Sequence, residues 1–123
     1  LLDKNNNMNK TIDLNDSLNF SYDILNPKFT INNIKQNIAV SANEGNFINS
    51  NKILLRKNVS FKSDKFLIKS SEVYFNKKNE SAFSNKNSKF ISKKTSINAE
   101  GFEITNKGDK ILFNGQVKVI LKK

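Results

Sequence analysis

Lys52-Ile53-Leu54-Leu55-Arg56-Lys57-Asn58-Val59 returns 58 positions later as Lys110-Ile111-Leu112-Phe113-Asn114-Gly115-Gln116-Val117. In the first copy Ile53 and Leu55 fall on one side of an extended chain and Leu54 and Arg56 on the other. In the second, Ile111 and Phe113 repeat that alternation. A period of two is the mark of a half-buried strand. A weaker copy lies between them, because Ala42, Ser70 and Ala99 correspond at intervals of 28 and 29 residues, as do Phe47, Phe75 and Ile104. The unit is a strand ending in a small residue, a second strand, a turn, and a strand of the type I-x-L-x-x-x-V. Three such units fill 37–123. Repeats of this length signal stacked supersecondary units that share one continuous core.

The rest of the chain from Phe29 onward keeps the same rhythm. Ile38-Val40-Ala42, Val59-Phe61, Phe66-Ile68, Val73-Phe75, Ile97-Ala99, Phe102-Ile104 and Val117-Val119-Leu121 all alternate. Asn-, Ser-, Asp- and Gly-rich clusters such as Asn76-Lys77-Lys78-Asn79 and Asn106-Lys107-Gly108-Asp109 separate them as turns. No segment carries helical spacing for more than a turn, so an all-β domain with almost no helix is expected over 23–123. Residues 1–22, rich in Asn and Asp without clear period, read as a flexible lead-in. Pro27 suits an edge or the start of a strand, because it has no N–H to donate to a ladder. The chain opens on Leu1-Leu2 rather than Met, so a signal or anchor segment ahead of it is expected.

The composition excludes more than it assigns. With no Cys and no His among 123 residues, disulfides, thiol nucleophiles, imidazole bases and thiolate or imidazole zinc sites are ruled out. The eleven acidic residues are dispersed along the chain, and nothing in their spacing promises two carboxylates converging in a cleft. Glu44, Glu72 and Glu100 recur with the repeat and are read as a solvated face beside a turn. An enzyme, a metal site and a cofactor are not expected. The net charge of +10 invites a phosphate-rich partner or an anionic surface, yet it rests on 20 Lys and a single Arg, Arg56. Lys and Asn inflated together also fit A/T-rich codon usage. Sequence-specific nucleic-acid readers lean on arginine.

Asn26-Pro27-Lys28-Phe29-Thr30, Ile38-Ala39-Val40-Ser41-Ala42, Ile97-Asn98-Ala99-Glu100-Gly101-Phe102 and Ile111-Leu112-Phe113-Asn114-Gly115-Gln116-Val117, taken in series with Ile53–Val59, resemble the LptC family of lipopolysaccharide export and, more broadly, the related bridge protein LptA. The resemblance covers about 26–121. It implies an open, V-shaped antiparallel β-jellyroll of two facing sheets in the periplasm of a Gram-negative cell, tethered to the inner membrane. It also implies a role that involves no chemistry. Lipopolysaccharide would pass from the LptB–LptF–LptG transporter, through a slot between the sheets, to LptA. Two departures stand out. The anchor helix that the resemblance implies is not among these residues and is expected ahead of Leu1-Leu2, and the Gly expected after the first long strand is Lys57-Asn58, whereas the second copy keeps Gly115.

The lining expected for acyl chains is the apolar face formed by Val40, Ala42, Phe47, Ile53, Leu55, Val59, Phe61, Ile68, Val73, Phe75, Phe83, Ile97, Phe102, Ile104, Phe113, Val117 and Val119. It is expected to be partly unburied and nearly uniform along its length. Lys52, Lys57, Lys110 and Lys118 are candidates for a cationic rim facing sugar phosphates. The edge carrying Phe29 and Ile31 is expected to meet the LptF/LptG periplasmic domain, and the edge carrying Val117, Val119 and Leu121 to pair with LptA. Three other readings stand beside this one: an LptA-like bridge, a basic nucleic-acid-binding β-domain, and an adhesive β-repeat with no slot. The nucleic-acid reading requires aromatic residues interleaved with Lys on an exposed face; here the Phe residues fall on the apolar face.

Overall fold

The computed structural model describes residues 23–122, and the lead-in expected over 1–22 lies outside them. Ten strands follow one another: β1 (Ile24–Leu25), β2 (Lys28–Asn32), β3 (Asn37–Ser41), β4 (Glu44–Phe47), β5 (Lys52–Lys62), β6 (Phe66–Asn76), β7 (Ser81–Ser84), β8 (Ser88–Ser92), β9 (Thr95–Thr105) and β10 (Lys110–Leu121). A single 3-10 turn, Asn106–Gly108, joins the last two. Every pairing is antiparallel. The all-β expectation holds.

The four long strands, β5, β6, β9 and β10, each serve two faces. The first and second halves of β5, β6 and β9 pair with different short strands, and β10 follows β9 along its whole length, so the sheet is folded on itself along a seam. Leaf A runs β2-β3-β5-β6-β8-β9-β10, and leaf B runs β1-β4-β5-β6-β7-β9-β10. The fold line coincides with extra residues. Lys57 and Asn58 bulge from β5 opposite β6, where the register shifts between Arg56 and Val59. Gly115 and Gln116 bulge from β10 opposite Glu100, where it shifts between Ala99 and Gly101. A bulge bends a strand and sharpens its twist. Both bulges need left-handed backbone, with φ of 65° at Lys57, 56° at Asn58 and 76° at Gly115. Lys57-Asn58 therefore performs the bend that glycine performs in the second copy.

The repeat seen in the sequence is a geometric one. Phe47, Ile53, Phe75, Ala82, Ile104 and Ile111 form one continuous rung across leaf B. Ser70 and Ala99 both pair with Ser88 at the seam, where small side chains let the strands turn. Each unit is thus a hairpin bent across both leaves. The core between the leaves is dense: Ile31, Ile38, Ile53, Leu55, Val59, Phe61, Ile68, Val73, Phe102 and Ile104 are wholly buried. Burying one such side chain contributes roughly 1.5–3 kcal/mol.

Candidate functional site

A rung of seven apolar side chains crosses leaf A from edge to edge: Phe29, Val40, Phe61, Ile68, Phe90, Ile97 and Val119. Its burial is uneven. Val40, Phe61 and Ile68 are buried, Phe29, Phe90 and Ile97 are half-buried, and Val119 is 54% exposed. The cause lies across the interior, where aromatic pairs join the two leaves in sequence. Phe29 meets Phe75 at 5.1 Å between ring centroids, Phe61 meets Phe102 at 5.6 Å, and Phe90 meets Phe113 at 5.5 Å. Edge-to-face and tilted geometries such as these add about 0.5–1.5 kcal/mol beyond area burial. Beyond the last pair Val117, Val119 and Leu121 stand 42%, 54% and 76% exposed.

The opposite end is closed. The β2–β3 hairpin is held to the far end of leaf B by the Asn33 side-chain amide, which donates to the Lys107 carbonyl at 2.7 Å. The Asn32 N–H donates to Glu80 Oε1, also at 2.7 Å. Gly108, at φ 90°, sits beneath Ile31 and Ile38; a Cβ there would lie 2.8 Å from Ile38 Cδ1. The interior is therefore sealed beside β2 and uncovered beside β10.

The residues expected to line a slot fall into distinct groups. Val40, Ala42, Ile53, Leu55, Val59, Phe61, Ile68, Val73, Phe75, Phe102 and Ile104 are buried core; Ile97 and Phe113 are half-buried; Phe47, Val117 and Val119 are exposed. Phe83 departs from the expectation. It pairs with Tyr74 and Glu103, between the inward Ala82 and Ser84, and lies on the outer face of leaf B. The uniform, partly unburied trough is also corrected: the aromatic pairs fill most of it, and only the β10 end is open. β2 pairs with β3 alone and β10 with β9 alone among the described residues, so both are edge strands. Ile31 itself is buried, so the β2 edge would present backbone and Phe29 rather than the Ile31 side chain.

Three features were not legible from the spacing. Phe90, central to the aromatic series, is flanked by Ile91, and two adjacent apolar residues hide the phase of the strand. Ser70, Ser84 and Ser88 form a buried hydroxyl cluster at the seam, with Ser70 Oγ 3.2 Å from Ser84 Oγ and 3.1 Å from Ser88 Oγ. Ser84 donates to the Glu72 carbonyl at 2.7 Å, and the Lys86 N–H donates to Ser84 at 3.1 Å. Glu44 is not on a solvated face: it is buried, with Lys57 Nζ at 3.1 Å and Arg56 at 3.5 Å. Of the rim lysines, Lys57 is thus committed to Glu44. Lys52 lies over the Tyr74 ring at 5.6 Å, on the outside of leaf B. Lys110 and Lys118 also point outward.

A family model described as lipopolysaccharide-assembly, LptC-related, matches residues 15–122. The chain belongs to the LptC-related family. None of the curated proteins compared with it matches. The two-leaved, all-antiparallel sheet is what an LptC-like jellyroll requires, and membership makes the chain a component of lipopolysaccharide transport. No helix among the described residues is long and apolar enough to cross a membrane.

Proposed function

We propose that this domain receives the acyl chains of lipopolysaccharide between its leaves and passes them on at its β10 edge. It would stand in the periplasm between the LptB–LptF–LptG transporter and LptA, tethered to the inner membrane. The observation that carries this is the uncovered inner face at the β10 end, where Val117, Val119 and Leu121 are exposed beside half-buried Ile97 and Phe113. Each methylene removed from water contributes roughly 0.8 kcal/mol, so a many-chained lipid gains affinity from apolar contact alone. No chemical step is asked of any residue. The free edge of β10 offers unpaired backbone for strand addition by a partner, and β2 offers the same on the transporter side.

Titration with fluorescent lipid A tests the reading. Saturable binding that weakens in Val119→Asp and Ile97→Asn, with thermal stability retained, is the expected outcome. No binding at micromolar protein would sink it.

A further inference from the structure

The charge of this protein is not spread evenly. In leaf A the outward positions of the paired strands include Lys28, Lys62, Lys69, Lys89 and Lys118, all exposed, and no Asp or Glu. Four of them belong to one cross-strand row: Lys28-Ser41-Ser60-Lys69-Lys89-Asn98-Lys118. The outward positions of leaf B balance instead, with Lys52, Arg56 and Lys110 against Glu44, Glu72 and Glu103. A codon bias toward lysine would load both leaves alike, so it does not account for this asymmetry. None of the five leaf A lysines meets a carboxylate among the described residues. Glu100, at the seam, accepts the Gln116 N–H at 2.9 Å.

We infer that the outer face of leaf A docks on an anionic phospholipid surface. Seven strands at about 4.8 Å spacing make a cationic row roughly 29 Å across. That is a broad face, matched to a plane of delocalised charge rather than to one ligand. The adjacent outward row supplies apolar contact: Leu67 and Ile91 are half-buried and Ile120 is 45% exposed. Lysines set beside an apolar row suit the headgroup boundary, where charge meets phosphate and the aliphatic side chains reach the acyl border. Nucleic acid is disfavoured because no aromatic ring occupies an outward position of this leaf to stack a base. The face lies on the opposite side of leaf A from the lipid-receiving interior, so docking leaves that interior free.

The test uses the full chain and two sets of vesicles, one of phosphatidylcholine and one of phosphatidylcholine with phosphatidylglycerol at three to one, neither containing lipid A. The protein should sediment with the anionic vesicles only, and lose that partition as salt is raised. Each lysine near such a surface contributes roughly a factor of five. Lys69→Gln/Lys89→Gln/Lys118→Gln should therefore weaken partition about 100-fold. Lys52→Gln/Lys77→Gln/Lys110→Gln removes the same charge elsewhere and should change it less than threefold. Equal loss in both triple variants would reduce the effect to net charge and overturn the proposal. So would tighter leaf A-dependent binding to single-stranded DNA than to the vesicles, or no partition to anionic vesicles at all. Circular dichroism and unchanged melting of both variants separate these outcomes from misfolding.

Discussion

Phe90 on leaf A and Phe113 on leaf B meet edge to face, 75° apart in plane, and this pair is where the packed interior ends. On one side of it the core is closed by two more ring pairs; on the other, apolar side chains of β9 and β10 face open space. A binding surface and a structural core are here successive stretches of a single apolar face, and mutations should tell them apart.

Phe61→Ala, deep in the core, should cost about 3–5 kcal/mol in urea unfolding, while Phe113→Ala, half-buried, should cost about 1–2 kcal/mol. Lipid A titration should show the reverse order per folded molecule, with Phe113→Ala the weaker binder. Equal loss of binding would mean that ligand and core are not separable along this face.

The glycine positions set opposite expectations. A Cβ on Gly101 would lie 2.3 Å from the Ser84 carbonyl oxygen, a clash with backbone that no rotamer relieves. Gly101→Ala should destabilise by about 1–3 kcal/mol. Asn58→Gly should stabilise by roughly 0.5 kcal/mol, because glycine accepts the left-handed φ of 56° without steric cost. Thermal melting reads both.

Ser84 is 1% exposed and both donates and accepts at the seam. Ser84→Ala should cost about 1–3 kcal/mol, since the Lys86 N–H and the Glu72 carbonyl each lose a partner. Hydrogen exchange should localise the added opening to the seam amides rather than to the far end of either leaf.

Successive N–H groups of an edge strand point alternately toward its neighbour and away from it. Of Lys118→Pro and Val119→Pro, the one that removes an outward N–H should leave the domain folded and abolish capture of LptA; the other should lower melting as well. Capture of LptA by both folded variants would refute strand addition at β10.

Much of the architecture was legible because alternation and turn residues are local signals. Ile53 and Leu55 face inward as their spacing predicts, and the correspondence of Phe47, Phe75 and Ile104 is one physical rung. The site was legible only as a face. Exposure depends on what stands across the interior, and no property of Val40 or Val119 in sequence says that one meets aromatic rings and the other does not. Phe83 was misplaced because Ser81-Ala82-Phe83-Ser84 holds a single large apolar residue, and alternation cannot tell inward from outward without a second one. The outward cationic row was hidden for a different reason: its four lysines come from four strands and converge only once register is set.

The hairpin clamp at β2 and the uncovered edge at β10 make the two ends of the molecule unlike. Copies or relatives joined from the β10 edge of one to the β2 side of the next would all point the same way, as in any head-to-tail contact between dissimilar surfaces. Such an array has a polarity, like a row of funnels nested mouth to stem. A cargo moving along it would meet, at every junction, an open side before a sealed one.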